Sequence, residues 1–261
     1  MSYDPEAIGQ LTSWTRTLNE DDAQTLLDTA QPGLNLDEWR ELGHRLLPQA
    51  NVQRRNDHLR LVCAHLMDHD GTSILPSRHL ELFQQGSPHR RSTLLWGRYF
   101  WSQPLVHCAL AQLVGPALAC ADRPLAPHDA AIIPPETWDR ALASWLRPET
   151  PTVARRKTLT TLQRALSLAG VLTVETHPTR TTTAQHGRPD PLGFAWLLAF
   201  ELHVQGLDEV DEPWAHRESF AARLFAPDVG YAATCVRAGI DAGLLRQGHL
   251  MGRSRLHGVA V

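Results

Sequence analysis

The stretch Glu136–Leu172, ETWDRALASWLRPETPTVARRKTLTTLQRALSLAGVL, contains two amphipathic helical patterns separated by a short turn. In the first pattern, apolar residues recur at helical spacing, namely Trp138, Ala141, Leu142 and Trp145. Pro148 cannot continue that helix. The second pattern begins near Thr152 and ends at Gly170, a residue suited to a left-handed C-terminal cap. Two helices joined by a tight turn predict a helix-turn-helix.

The segment that follows predicts a β-hairpin. Residues 171–176, VLTVET, have strand propensity, His177–Arg180 suit a turn, and Thr181–Thr183 form a possible return strand. A hairpin after the second helix of a helix-turn-helix would be a wing, with Arg180 at its tip.

The C-terminus repeats this arrangement. Asp228 is a capping residue for a helix that ends in Ala242-Gly243-Leu244-Leu245, much as the earlier helix ends in Ala169-Gly170-Val171-Leu172. Further helices are predicted over Pro191–Gln205 and Pro213–Phe225. The expected architecture is two winged-helix units in tandem with short β-hairpin wings.

The first half predicts a helical bundle, so the fold class is mainly α. Asn19 and Asn35 are candidate N-caps, and helices are expected over residues 36–47, 51–68, 77–84, 88–102 and 104–120. The apolar stretch Pro104–Ala121 is interrupted by polar residues, glycine and proline, which favours a buried helix over a membrane span. The proline-rich residues 121–135 indicate a linker. The predicted division is 1–120, 121–135, 136–190 and 191–261.

Charge is distributed unevenly along the chain, although the formal net charge is only -3. Residues 1–41 contain nine acids and two arginines, whereas residues 151–188 contain six basic residues and one acid. The basic segment is a candidate anion-binding surface. Lys157 is the only lysine in the chain. A phosphate-binding loop of the GxxxxGK(S/T) type, which requires a lysine after its glycines, is therefore excluded at every other position.

The cysteines predict neither a metal centre nor a disulfide framework. Cys63, Cys108, Cys120 and Cys235 show no CxxC spacing. The N-terminal residues show no secretory pattern. These features favour a cytoplasmic protein that needs no metal or cofactor and does not bind a membrane.

Several segments resemble a known family. They are Arg90-Arg91-Ser92-Thr93-Leu94-Leu95-Trp96, Arg156-Lys157-Thr158-Leu159 leading into Leu162-Gln163-Arg164-Ala165-Leu166, and the closing Ala242-Gly243-Leu244-Leu245. The chain resembles accessory protein A of BREX bacteriophage-defence systems over roughly residues 85–261. That resemblance implies winged-helix elements, DNA binding without a catalytic centre, and work among other defence proteins.

The leading functional prediction is a non-enzymatic subunit that binds double-stranded DNA. The residues predicted to contact DNA are arginines, polar residues and one lysine on the second helix, the wings and their flanks: Arg155, Arg156, Lys157, Thr160, Gln163, Arg164, Arg180, Arg188, Arg253 and Arg255. A protein-interaction scaffold is the alternative, because winged helices also bind proteins. A third interpretation is a metal-dependent HD-type phosphohydrolase, with His65, Asp68 and His69 on one helical face.

Overall fold

Helices dominate the fold. The computed structural model of the chain describes residues 11, 18–49, 51–127, 129–175, 181–250 and 253–259. Over these residues the protein is mainly helical, with two small three-stranded antiparallel sheets. The expectation of a mainly α fold is therefore confirmed.

The helices of the first half are α1 (Glu20–Asp28), α2 (Leu36–Leu46), α3 (Val52–Leu66), α4 (Arg78–Gln84), α5 (Pro88–Trp101), α6 (Pro104–Ala109) and α7 (Gly115–Ala121). Those of the second half are α8 (Pro135–Trp145), α9 (Thr152–Leu168), α10 (Pro191–Gln205), α11 (Glu212–Arg217), α12 (Phe220–Phe225) and α13 (Val229–Asp241). The strands are β1 (Ile132–Ile133), β2 (Leu172–Glu175), β3 (Thr181–Ala184), β4 (Val210–Asp211), β5 (Leu245–Leu250) and β6 (Arg253–Gly258).

Local capping determines where the first helices begin. The Asn19 side chain accepts a hydrogen bond from the Asp21 amide at 3.0 Å, and the Asn35 side chain accepts one from the Asp37 amide at 2.8 Å. Each bond satisfies an amide that the helix itself leaves unpaired. Trp39 then anchors α2 to α1, because its ring nitrogen donates to the Leu26 carbonyl in the core.

A π-helical turn at Leu110–Val114 joins α6 to α7. The Gly115 amide donates to the Leu110 carbonyl five residues earlier, immediately before Pro116. Proline lacks an amide hydrogen and clashes with the carbonyl four residues before it, so a locally wider turn accommodates it. Among the described residues, Pro104–Ala121 alone meets the length and apolarity expected of a membrane span, and half of this stretch is buried within the protein.

The two sheets have the same topology. In the first, β3 lies between β1 and β2; in the second, β6 lies between β4 and β5. In each case a two-residue strand precedes the helices, and the other two strands form an antiparallel hairpin after them. The order strand, helices, hairpin therefore occurs twice along the chain.

Helix α10 lies at the centre of the second half and is apolar on nearly all sides, as expected for a helix surrounded by protein. It packs against α5 and α13. Glycines make the close approach possible: a Cβ at Gly239 on α13 would lie 2.5 Å from the Ala195 Cβ. Side chains from both halves thus form one continuous buried core.

Three sequence expectations need correction. Ile132–Ile133, placed in a linker, form β1 and pair with β3. The predicted helix 213–225 is divided into α11 and α12, because Ser219 caps a new helix by accepting from the Ala222 amide. The helix predicted over residues 51–68 ends at Leu66, since Met67 has extended backbone.

Candidate nucleic-acid interface

A buried hydrogen-bond chain holds α8 against the first sheet. The Trp138 ring nitrogen on α8 donates to the Thr182 hydroxyl on β3 at 2.8 Å. That hydroxyl in turn donates to the Ile133 carbonyl on β1 at 2.8 Å. Because these atoms are buried, an unmade bond would be costly, so the chain fixes the helix relative to two strands.

The turn between α8 and α9 is tied to the first turn of α9 by Arg155. Its guanidinium donates to the Thr150 carbonyl at 3.0 Å and to the Pro148 carbonyl at 2.8 Å. Arg155 was predicted to contact DNA, but its side chain is bonded to the turn. The next two residues, Arg156 and Lys157, are exposed and better placed to contact a ligand.

Helix α9 presents a basic outer face. Three apolar residues, Leu162, Ala165 and Leu166, are buried on the inner side. The outer side exposes Val153, Arg156, Lys157, Thr160, Arg164, Ser167 and Leu168. No described residue forms an ion pair with Arg156, Lys157 or Arg164.

The electrostatics of α9 favour an anion near its N-terminus. The helix contains no acid over its 17 residues, and its first turn has none of the carboxylates that usually face the positive end of a helix dipole. Arg156 and Lys157 add positive charge at that same end. An external anion would offset both contributions.

The prediction that Gln163 faces outward is wrong. Its side chain is 3% exposed, and its Oε1 atom has no hydrogen-bond partner among the described residues. At 3.6 residues per turn Gln163 lies beside the buried stripe, whereas Arg164 follows it onto the outer face. Thr160 is exposed as expected, but its hydroxyl already donates to the Arg156 carbonyl at 3.1 Å.

The base of the hairpin β2–β3 is closed by side-chain bonds. The Thr173 hydroxyl donates to the Gln185 Oε1 at 2.8 Å, and the Gln185 amide group donates to the Gly170 carbonyl at 3.1 Å. Gly170 has a φ of +78°, in agreement with the predicted left-handed cap. Arg180 lies outside the described residues.

The remaining predicted contacts are distributed over other parts of the surface. Arg188 is 74% exposed, 3.9 Å from the Asp228 carboxylate and above the Tyr231 ring. Arg255 is paired with Asp211 at 3.1 Å and lies 3.9 Å from Glu209. The side chain of Arg253 lies outside the described part of the structure. The C-terminal segment contains no acid of its own, so acids from the β4 region neutralise Arg255.

The equivalent helix of the second half, α13, has a different outer face. Its exposed residues are Val229, Gly230, Ala233, Thr234, Arg237 and Asp241, which carry no net charge. The two halves therefore share a strand order but differ in surface charge. Of these two helices, α9 has the outer face with an excess of positive charge.

The three residues of the possible metal site contact different partners. The Arg98 guanidinium binds both Asp68 carboxylate oxygens, at 2.6 and 3.0 Å. His65 shares a hydrogen bond with the Ser102 hydroxyl, and His69 accepts one from the Gly71 amide. The helix ends before Asp68, so the expected helical face does not form. Within the described residues no three metal-ligating side chains are grouped.

Comparisons of the chain with protein-family models, with curated proteins and with solved structures give no match.

Proposed function

We propose that this protein binds double-stranded DNA through the outer face of α9. The observation that carries the proposal is the basic face of Arg156, Lys157 and Arg164, which no described acid pairs with, on the second helix of a strand–helix–helix–hairpin unit. We classify this unit, and the unit of the second half in which three helices separate the strand from the hairpin, as winged helices. In that fold the second helix enters the major groove and the hairpin lies along the phosphate backbone.

The charge distribution supports non-specific phosphate contact as the source of affinity. Arginine and lysine neutralise phosphates and release bound counterions, so binding weakens with salt. Thr160 and Ser167 lie on the same face, where hydroxyls can contact base edges or phosphates. In this proposal the protein acts in the cytoplasm and binds DNA without catalysing a reaction.

The resemblance to accessory protein A of BREX systems supports a role among other defence proteins. We therefore propose that DNA binding by α9 places the protein within a phage-defence complex. The neutral outer face of α13 supports a second contribution, as a scaffold for a protein partner, because a surface without net positive charge gains little from DNA.

The test is fluorescence anisotropy of a labelled duplex at several salt concentrations. The variant Arg156→Gln/Lys157→Gln/Arg164→Gln should bind more weakly, with the slope of log affinity against log salt shallower by about 2–3, at about 0.9 per phosphate contact. The matched control, Arg45→Gln/Arg54→Gln/Arg60→Gln, removes three exposed charges on α2 and α3.

Two results would contradict the proposal. One is an absence of binding by the wild-type protein at low salt. The other is an equal loss of affinity in both triple variants, which would indicate dependence on net charge rather than on α9. Circular dichroism of each variant checks that the helices remain folded.

A further inference from the structure

A cavity of about 650 Å³ lies between the π-helical turn and α7 on one side and α11, α12 and the start of α13 on the other. Its floor is apolar and consists of Leu110, Val114 and Leu118, which are buried in the core. Cavities that hold small molecules typically combine such an apolar surface with a few polar groups.

Two arginines stand at the edge of this cavity. Arg217 and Arg223 both line it and both are exposed, and no ion pair or side-chain hydrogen bond joins either guanidinium to another described residue. Arginine presents a planar fork of donors that matches a carboxylate or a phosphate.

The two acids that line the cavity already have hydrogen-bond partners. Asp122 lies 3.0 Å from the His186 Nε2, and the His186 Nδ1 donates to the Ala226 carbonyl at 2.6 Å. Asp228 accepts from the Tyr231 amide at 2.9 Å and lies near Arg188. Arg217 and Arg223 are therefore the charged lining side chains for which the described residues supply no oppositely charged partner.

A neutral polar group is also left without a partner. The His216 side chain lines the cavity and is 9% exposed, and its Nε2 atom makes no hydrogen bond with any residue that the structure describes. The nearest carboxylate oxygen, on Glu212, is 3.9 Å away. Burial lowers the pKa of His216, so the ring is neutral and can donate or accept one hydrogen bond.

Two departures from ordinary backbone geometry lie on the cavity wall. One is the π-helical turn, which supplies Leu110 and Val114. The other is Ala226, which has a φ of +40° although it is not glycine. Such features cost energy and occur often at functional sites.

We propose that this cavity binds a small organic anion, with its apolar body against Leu110, Val114 and Leu118 and its carboxylate or phosphate bound by Arg217 and Arg223. The apolar floor selects against inorganic ions, and the two arginines select against neutral or cationic molecules. The site is separate from the outer face of α9, so its test does not depend on DNA binding.

The probe is 1-anilinonaphthalene-8-sulfonate, an aromatic anion whose fluorescence rises in an apolar environment. It should bind the full-length protein at one site, and octanoate or octyl phosphate should displace it. Comparison of the two affinities shows whether the site prefers a carboxylate or a phosphate. Octanol, which has the same apolar chain without charge, should need at least about tenfold higher concentration, since charged hydrogen bonds contribute that factor or more.

Two variants test the assigned residues. Arg217→Gln/Arg223→Gln should weaken probe binding about tenfold or more, and Ala119→Trp, at an exposed lining position, should fill the cavity and prevent binding. The matched controls are Arg140→Gln/Arg237→Gln and Ala143→Trp, at exposed positions that do not line the cavity. Each variant is compared at equal folded fraction, measured by thermal unfolding.

Three outcomes would overturn the proposal: no saturable binding at millimolar probe, equal displacement by octanol and octanoate, or unchanged affinity in both test variants. Weakening by the test variants but not by their controls supports it, as does displacement by either anion with a corresponding rise in the melting temperature.

Discussion

Ionisation of Glu201 should make the protein less stable as the pH rises through the neutral range. The Glu201 side chain on α10 is 1% exposed, and its Oε2 accepts from the Phe220 amide at the start of α12. Burial raises the pKa of Glu201 from 4.5 to about 7, although hydrogen bonds to Phe220 and the charge of Arg223 act in the opposite direction.

The magnitude follows from proton linkage. A carboxyl group with a raised pKa in the folded state stabilises the fold fully below its unfolded pKa, here 4.5, and that stabilisation is lost as the pH rises to about 7. At about 1.4 kcal/mol per pH unit, the interval corresponds to about 3 kcal/mol of unfolding free energy. At higher pH the buried carboxylate is charged, and its desolvation therefore lowers the free energy of unfolding.

The test compares Glu201→Gln with the wild-type protein by urea unfolding between pH 4.5 and 8. Glutamine retains the shape and one acceptor oxygen for the Phe220 amide but cannot ionise. The free energy of unfolding of the variant, relative to wild type, should rise with pH by about 3 kcal/mol and level off above pH 7. The control is Glu218→Gln, at an exposed glutamate. A constant difference between Glu201→Gln and wild type across this range would refute the reasoning.

Two other substitutions test the α8–α9 unit. Gln163→Met should leave DNA affinity unchanged and raise the free energy of unfolding by about 1 kcal/mol. The reason is that the substitution removes a buried acceptor that has no partner among the described residues. A loss of affinity in the anisotropy assay would mean that Gln163 contacts DNA after all. Trp138→Phe should lower the free energy of unfolding by about 1–3 kcal/mol through the lost bond to Thr182. In a double-mutant cycle with Thr182→Val the two losses should not add, and strict additivity would mean that this bond contributes nothing.

Features that depend on neighbours along the chain could be predicted from the sequence. The caps at Asn19 and Asn35 form as expected, and Gly170 ends α9 in the left-handed conformation. The helix predicted from near Thr152 up to the Gly170 cap, residues 152–169, and the helix predicted over 191–205 agree with the observed α9 and α10 within one residue. Helical periodicity and capping involve residues only a few positions apart, so the local sequence contains the required information.

The short strands were not predicted from the sequence. Ile132–Ile133 and Val210–Asp211 are two residues each, too short for any alternating pattern to be recognised. They become strands because β3 and β6, about fifty residues away, present free backbone groups for pairing. No residue close to them in the sequence indicates this pairing.

The availability of the basic residues was likewise decided by tertiary structure. The sequence alone determined that residues 151–188 carry an excess of positive charge on a helical pattern. Only the folded chain decided that Arg155 binds the preceding turn, that Gln163 is buried, and that Asp211 neutralises Arg255. A charge is local to its residue, whereas the partner of Arg255 depends on the path of the chain, which brings Asp211, more than forty positions earlier, beside it.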